Sequence, residues 1–273
     1  MPEGHTIHRL AAEHRERFGG RPVRAHSPQG RFADGARLID GHVLEQADAH
    51  GKHLLLHFSH DRVLHVHLGI YGRYTFGRLP APDPVGQVRL RLIGDGDHAD
   101  LRGPNTCEVL DLPQVKLLRD RLGPDPLRSD ADPDRAWRRI SRSRAPIAQL
   151  LMDQSVVAGP GNIYRAEVLF RQNVHPDLPG RALDRQVWQA MWDDLVLLMR
   201  EGVRTGRIDT VRPEHTPEAM GRPPRVDDHG GEVYVYRRTG QPCLICGTAV
   251  RARTLAGRNL FWCPTCQPPV PGV

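Results

Sequence analysis

The first residues of the chain carry groups that could do covalent chemistry. If the initiator methionine is removed, Pro2 becomes the amino terminus and presents a secondary amine beside the carboxylate of Glu3. An α-amino group has a reference pKa of about 8, so a useful fraction is unprotonated near neutrality and can attack an electrophilic carbon to form an iminium. The alternative is that Pro2 and Glu3 are a frayed terminus without a role, which is the common case for chain ends.

Four of the five cysteines lie close together near the end of the sequence. Cys243, Cys246, Cys263 and Cys266 form two C-x-x-C pairs separated by sixteen residues. This spacing indicates the closed tetrahedral thiolate set of a structural zinc site, and two matched pairs argue against a redox motif or a disulfide. The unit is too small for a large core, so we expect one zinc ion per chain to stabilise it. The fifth cysteine, Cys107, fits a small buried side chain.

A glycine-rich turn precedes one predicted helix. Gly159, Pro160 and Gly161 lead into Asn162, where a helix begins. The amides and the positive dipole end of a helix start can bind an anion, and Asn162 could donate to the same phosphate. An ordinary corner between two helices with glycine caps explains this stretch equally well.

Two other stretches carry weaker signals. Lys52 follows Gly51 at the start of a predicted strand, where a lysine is usually a solvated edge residue. Ile70 and Tyr71 form an apolar pair flanked by glycines at the end of another strand. Such a pair could be a wedge inserted between bases, although it is more often part of a core.

Composition favours a polyanionic partner. The 273 residues include 38 Lys and Arg against 32 Asp and Glu, a formal net charge of +6, and arginine dominates the basic residues. Arginine matches phosphate oxygens and releases counterions on binding, although a host with an arginine-rich proteome would give the same balance. The sequence has neither an apolar run of membrane-spanning length nor a signal-type core. We therefore expect a monomeric cytoplasmic protein of bacterial type, associated with the nucleoid, and no membrane partner.

The pattern of apolar residues predicts a multidomain α+β chain. A helix over 6–18, capped by Thr6, precedes alternating segments that predict an antiparallel β-sandwich with strands at 42–47, 53–58, 63–68, 73–76, 88–93 and 107–110. Helical periodicity follows at 135–140, 146–157, 162–171 and 183–201. The predicted division is a β domain over 1–113, a Pro- and Gly-rich linker over 114–134, a helical domain with a following loop over 135–230, and the zinc finger over 231–273.

Taken in order along the chain, these motifs resemble the Fpg/Nei family of DNA glycosylases. The resemblance rests on the Met-Pro-Glu-Gly start, the Gly51-Lys52 stretch, the run from Gln149 to Phe170 and the four-cysteine finger. It spans essentially the whole chain and is closer to the endonuclease VIII side. It implies that the helical domain is a helix-two-turns-helix domain that binds DNA.

The resemblance also implies roles for single residues. Pro2 matches the amine that attacks the sugar C1′, and Glu3 matches the acid/base that assists ring opening. Lys52 matches the lysine that contacts phosphate and helps proton transfer. The implied DNA contacts are Asn162 and Arg258 on phosphates, with Arg258 also counted among the catalytic residues, and Ile70 and Tyr71 in the gap left by the flipped nucleotide.

The implied function is therefore a bifunctional DNA glycosylase and abasic-site lyase of base excision repair. It would remove an oxidised base, expected to be a pyrimidine, and nick the strand by β,δ-elimination. One alternative is an oxidised-purine glycosylase on the same scaffold, and another is a catalytically silent, zinc-containing DNA-binding protein. The sequence departs from the family pattern at Thr6, at Gly69 and around Arg102, and these positions bear on proton relay and base reading.

Overall fold

The computed structural model describes residues 2–226 and 231–269. The chain divides into two compact units, Met1–Arg121 and Leu122–Val273. None of the helices within the described ranges is long and apolar enough to cross a membrane. The boundary between the units falls inside the segment 114–134, and the finer division into four parts remains a prediction.

The described residues of the first unit, from Pro2 onward, form eight strands and three helices. The strands are β1 (Pro22–His26), β2 (His42–His50), β3 (His53–Phe58), β4 (Arg62–His67), β5 (Arg73–Arg78), β6 (Val88–Ile93), β7 (Asp97–Arg102) and β8 (Thr106–Leu110). The helices are α1 (Gly4–Phe18), α2 (Ala33–Ile39) and α3 (Leu112–Asp120).

The strands form an antiparallel sheet with the order β5-β7-β6-β1-β2-β3-β4-β8. The central strands β1 and β2 share only two paired positions, Pro22 with Val43 and Val23 with His42. The sheet therefore divides into two four-stranded halves. Side chains from both halves, such as Leu54 of β3 and Leu92 of β6, are fully buried in one core together with α1. This arrangement confirms the predicted N-terminal helix and antiparallel sandwich.

The first helix begins earlier than the sequence indicated. Glu3 occupies the N-cap position with extended backbone, and its carbonyl accepts the N–H of Thr6 at 3.0 Å. Thr6 therefore lies inside the first turn and does not cap the helix, so that part of the prediction was wrong. The consequence is that Pro2 and Glu3 are attached directly to a regular helix, whose buried residues Ile7 and Phe18 anchor it in the core.

Two strands and two helices of the first unit were missed by the sequence analysis, and one of these helices, α3, covers most of the start of the predicted linker over 114–134. The strand β7 is rich in charge, yet five of its six residues are buried because its carboxylates are paired with arginines. Asp97 pairs with Arg17 of α1 at 2.6 Å, and Asp100 pairs with Arg91 of β6 at 2.6 Å. Hydrophobic alternation cannot reveal such a strand. β1 and α2 are short, with five and seven residues, and leave only a weak periodic signal.

The second unit combines helices with a two-stranded hairpin. Its α-helices are α4 (Pro133–Ile140), α5 (Ile147–Leu150), α6 (Asn162–Arg171), α7 (Arg185–Thr205) and α8 (Pro217–Met220), and its hairpin consists of β9 (Arg251–Leu255) and β10 (Arg258–Trp262). Short 3₁₀ turns lie at Gly180–Ala182 and Pro213–His215. Side chains of the helices and of the hairpin, including Tyr164, Phe170, Leu260 and Phe261, share one core.

The predicted helix over 146–157 is much shorter than expected. α5 ends at Leu150, and the chain then forms a turn in which the Asp153 carboxylate accepts both the N–H and the hydroxyl of Ser155, at 2.9 and 2.6 Å. Aspartate and serine compete with helical hydrogen bonding in this way. The result is two turns between α5 and α6, which confirms the helix-two-turns-helix arrangement.

Candidate active site and DNA-binding residues

The direction of α1 relative to β2 determines where Pro2 and Glu3 lie. The N–H of Gly20, just after the helix, donates to Leu44 at 2.8 Å, and Arg15 donates to Ala47 at 2.6 Å. The helix α1 and the strand β2 therefore run in opposite directions. From these contacts to the start of α1 and to the end of β2, the two elements have similar lengths of about 20 to 25 Å. The start of α1 and the end of β2 therefore lie toward the same edge of the unit. Glu3 is fully buried there, whereas Pro2 is partly exposed.

Lys52 lies at that same edge, in the turn that follows β2. Because His50 pairs with His53, Gly51 and Lys52 form a two-residue hairpin loop and Lys52 is not a strand residue. Gly51 has φ of +59°, as the first position of a type II′ turn requires. The carbonyl of Lys52 accepts a hydrogen bond from Nδ1 of His67 at 2.9 Å. A carbonyl can only accept, so this nitrogen carries the proton and fixes the turn.

Lysine is rare in this protein. Of 38 basic residues, only Lys52 and Lys116 are lysines. The pKa of a lysine ammonium group can be lowered by its surroundings until the group loses its proton, whereas a guanidinium remains protonated. A lysine at position 52 of an arginine-dominated chain would suit proton transfer. The rarity of lysine is visible in the sequence, but the sequence-based prediction did not use it.

Ile70 and Tyr71 are not core residues. They occupy the turn after β4, in which the N–H of Gly72 bonds to the carbonyl of Leu68 at 3.0 Å, and they are 60% and 85% exposed. Gly69 has φ of +67°, which favours glycine at this position. An adjacent pair of large exposed apolar side chains on a tight turn is suited to insertion into another molecule.

Arg102 is engaged within its own unit. Its guanidinium donates to Asp100 at 3.0 Å and to the hydroxyl of Thr75 at 2.8 Å. Burial alone would raise the pKa of Asp100, but the hydrogen bonds and charges of Arg91 and Arg102 outweigh it and hold the pKa below its usual value. These contacts give Arg102 a structural role in joining β5, β6 and β7.

The start of α6 is shaped by the turns before it. The side chain of Gln154 donates to the carbonyl of Pro160 at 3.0 Å and accepts the N–H of Gly159 at 2.9 Å. Gly159 has φ of +106°, a conformation that other residues rarely adopt. Gly161 is the N-cap, and with no side chain it cannot cap the amides of the first turn. Asn162 is the first residue of the helix, as predicted.

Two buried charged residues on α6 were not found from the sequence. Arg165 donates to the side-chain oxygen of Asn162 and, at 2.8 Å, to the carbonyl of Asn259 in β10. Glu167 accepts the N–H groups of Tyr234, Val235 and Tyr236. Every residue of α6 except the last is buried, and the charged side chains on this helix are paired with polar groups that lie far along the chain, which a local sequence pattern does not reveal.

The four predicted cysteines form one cluster. Their sulfur atoms lie within 4.8 Å of one another, with 3.8 Å from Cys243 to Cys266 and 3.4 Å from Cys246 to Cys263. Four thiolates at these separations fit a tetrahedral zinc ion with Zn–S bonds of about 2.3 Å. The finger binds a structural zinc ion. The fully buried Gln267 accepts the N–H of Cys263 at 3.0 Å and donates to Val174, which attaches the finger to the helical part.

Arg258 begins the second strand of the finger hairpin. Leu255 pairs with Arg258, so the loop between them is the two residues Ala256 and Gly257, with φ of +47° and +74°. Positive φ at both positions is the type I′ geometry of tight hairpins. Arg258 is exposed and follows this rigid turn directly, close to the contact between Arg165 and Asn259. Within the second unit, the fold therefore brings Arg258 to the start of α6, where Asn162 lies.

Sequence comparison agrees with this architecture along the chain. Residues 1–106 match the formamidopyrimidine-DNA glycosylase N-terminal domain, residues 122–213 match the formamidopyrimidine-DNA glycosylase H2TH domain, and residues 240–269 match the zinc finger found in FPG and IleRS. The chain belongs to the formamidopyrimidine-DNA glycosylase family, on its endonuclease VIII side.

Individual relatives and structures support the same assignment. The chain is 52% identical to Endonuclease 8 1 of Mycobacterium tuberculosis over 271 residues, covering 98% of this chain and 100% of the relative. It is 33% identical to the formamidopyrimidine-DNA glycosylase of Streptococcus pneumoniae TIGR4, covering 85% and 84%. A complex of Lactococcus lactis Fpg with DNA containing an abasic site has the same fold, with a TM-score of 0.79 at 24% identity and coverage of 98% and 100%.

Proposed function

We propose that Pro2 is the nucleophile of a reaction on damaged DNA and that the preferred lesion is an oxidised pyrimidine. The chain is a bifunctional DNA glycosylase and abasic-site lyase of base excision repair, and its partner is damaged DNA. The observation that carries the residue assignment is the geometry of the first unit, in which Pro2 and Glu3 directly precede a helix that starts toward the Lys52 turn. We infer that the protein acts on chromosomal DNA at the nucleoid.

The chemistry follows from the groups at this edge. The Pro2 amine attacks C1′ as the bond to the base breaks, and Glu3 transfers a proton to the sugar ring oxygen as the ring opens. The product is an iminium between the amine and C1′. The iminium acidifies the C2′ proton, whose removal expels the 3′ phosphate in β-elimination. A second elimination expels the 5′ phosphate, and hydrolysis of the iminium frees Pro2.

Lys52 is proposed to contact a phosphate and to move a proton during elimination. These two roles can be separated, because Lys52→Arg keeps a positive charge but cannot give up its proton at neutral pH. We expect Lys52→Arg to bind DNA within about threefold of the wild type and to cut abasic DNA at least about tenfold more slowly. Lys116→Arg, at an exposed site on α3, is the matched control and should cut normally. Equal cutting by Lys52→Arg and the wild type would remove Lys52 from proton transfer.

The second unit is proposed to hold the phosphates. Asn162 at the helix start and Arg258 after the finger turn present an amide and a guanidinium, both suited to phosphate oxygens. Ile70 and Tyr71 would occupy the gap in the duplex that the flipped nucleotide leaves. These roles are supported by the exposure of Ile70, Tyr71 and Arg258, by the position of Asn162 at the helix start, and by the family to which the chain belongs.

The preference for pyrimidines is supported by the endonuclease VIII-type relative and by the internal contacts of Arg102. The alternative is an oxidised purine, favoured by the 33% identity of the chain to the formamidopyrimidine-DNA glycosylase of Streptococcus pneumoniae. A panel of duplexes carrying thymine glycol, 5-hydroxyuracil or 8-oxoguanine decides between them by single-turnover rates. Faster cleavage of both pyrimidines supports the proposal, and faster cleavage of 8-oxoguanine overturns it.

A further inference from the structure

Arg165 forms hydrogen bonds beside both proposed phosphate-binding residues, Asn162 and Arg258. This residue lies on α6, one turn after Asn162, and is 1% exposed. One nitrogen of its guanidinium donates both to the side-chain oxygen of Asn162 and, at 2.8 Å, to the backbone carbonyl of Asn259. Asn259 is the residue after Arg258. A single buried cation therefore touches the helix start and the finger hairpin at once.

The contact with Arg165 sets the orientation of the Asn162 amide. A guanidinium has only donors, so it must face the amide oxygen and not the NH₂ group. The NH₂ group is consequently turned away from Arg165. An anion at the start of α6 would be bound by this NH₂ group.

The contact with Asn259 fixes the backbone beside Arg258. The tight turn at Ala256 and Gly257 already constrains one side of Arg258, and the hydrogen bond from Arg165 constrains the other. The point at which the long side chain of Arg258 is attached is therefore held relative to Asn162. Less conformational freedom then has to be lost when both residues bind one phosphate backbone.

We propose that Arg165 is a positioning residue that makes Asn162 and Arg258 one phosphate-binding unit. Because it is buried, Arg165 acts through these two residues and does not itself contact the DNA. Its charge also lies beneath the helix start and adds to the positive potential there. The inference rests on the proposed phosphate roles of Asn162 and Arg258.

A thermodynamic cycle tests whether Arg165 acts through its partners. The affinity for a duplex with an uncleavable tetrahydrofuran abasic site is measured for Arg165→Met in the wild type and in an Asn162→Ala/Arg258→Ala background. We expect Arg165→Met to weaken binding about tenfold or more in the wild type and less than about threefold in the double variant. The same fold loss in both backgrounds would show that Arg165 only supports the fold and would overturn the inference.

Two further variants test whether weaker binding by Arg165→Met results only from misfolding. Arg165→Lys keeps a charged donor at the same place, and we expect it to recover binding to within about fivefold of the wild type. Asn259→Ala leaves the backbone carbonyl in place and should bind normally, which makes it the matched control. If Arg165→Lys folds normally by thermal unfolding but binds as poorly as Arg165→Met, a donor at this position is not what matters and the inference fails.

The orientation of the Asn162 amide has its own test. Asn162→Asp has the same shape and can still accept from Arg165, but it presents an anionic oxygen where the NH₂ group was. We expect Asn162→Asp to bind the tetrahydrofuran duplex more weakly than Asn162→Ala. Binding as tight as that of the wild type would contradict the assigned orientation. If instead Asn162→Ala and Arg258→Ala each bind normally, the proposed phosphate site itself is wrong, whatever Arg165 does.

Discussion

The carboxylate of Glu167 accepts the backbone N–H of Tyr234 at 2.7 Å, a contact between residues 67 positions apart in the sequence. The same fully buried carboxylate accepts the N–H groups of Val235 and Tyr236, both at 2.9 Å, and the hydroxyl of Thr210 at 2.6 Å. One side chain of α6 thus holds the segment that leads into the zinc finger.

Removal of the Glu167 carboxylate should destabilise the second unit strongly. Glu167→Ala leaves three buried amides without their acceptor, and each unsatisfied group costs about 1 to 3 kcal/mol. We expect a loss of at least about 3 kcal/mol in the free energy of unfolding, measured by urea denaturation. Glu218→Ala, at an exposed position on α8, is the control and should lose less than about 0.5 kcal/mol. A small loss for Glu167→Ala would mean that water replaces the carboxylate without cost.

Removal of zinc should weaken both folding and DNA binding. The hairpin residues Leu260 and Phe261 belong to the core that the finger shares with the helices, so loss of the metal exposes part of that core. We expect chelation or Cys246→Ser to lower the unfolding temperature and to reduce DNA affinity at least about tenfold, with recovery when Zn²⁺ is returned to the chelated protein. Cys107→Ser, at a thiol outside the cluster, should retain its zinc. Metal-free protein with full activity would contradict this account.

The buried His14 predicts a loss of stability in mild acid. Its desolvation outweighs the effect of its hydrogen bond to Leu10 and lowers its pKa to about 4, from 6.5. The unfolded chain therefore takes up a proton at higher pH than the folded protein does. The resulting stability is present above pH 6.5 and is lost as the pH falls toward 4, with about 2 kcal/mol lost at pH 5.

Urea denaturation between pH 7 and pH 5 measures this dependence. His14→Gln should unfold more easily at pH 7 but should show a smaller loss on acidification, by about 2 kcal/mol. Ala12→Gln, at an exposed position on the same helix, should keep the wild-type dependence. If His14→Gln and the wild type lose stability in parallel, His14 is not the responsible group.

Tyr71 should affect catalysis without affecting stability. At 85% exposure it contributes little to the core, so Tyr71→Ala should leave the unfolding temperature unchanged. If Tyr71 fills the gap left by the flipped nucleotide, the same variant should excise a damaged base at least about tenfold more slowly in single-turnover assays. Val85→Ala removes another exposed apolar side chain of the same unit and should excise normally. A normal rate for Tyr71→Ala would exclude the proposed wedge.

Local patterns predicted several elements with their correct limits. The segments 53–58, 88–93 and 162–171 coincide with β3, β6 and α6, because a short apolar run marks β3, alternation marks β6 and helical spacing marks α6. The zinc cysteines were predictable for a similar reason, since their spacing alone defines the site. The exposure of Ile70 and Tyr71 was not predictable, because an adjacent apolar pair is more often part of a core.

Features that depend on distant partners were missed. The strand β7 is polar, and only the arginines that pair with Asp97 and Asp100 make its burial possible. Arg165 and Glu167 likewise acquire their roles from Asn259 and Tyr234, which lie far along the chain. No local pattern reports such contacts.

The Pro2 amine is proposed to form the covalent intermediate of the reaction. Reduction with borohydride traps such an iminium as a stable protein–DNA adduct on abasic DNA. We expect a trapped adduct for the processed wild type and its loss in Pro2→Gly and in a chain that retains Met1, although both should still bind a tetrahydrofuran duplex. Met1 lies outside the described residues. Its expected effect is chemical, because Pro2 has no free amine in a chain that retains Met1. Undiminished trapping in both variants would contradict the account.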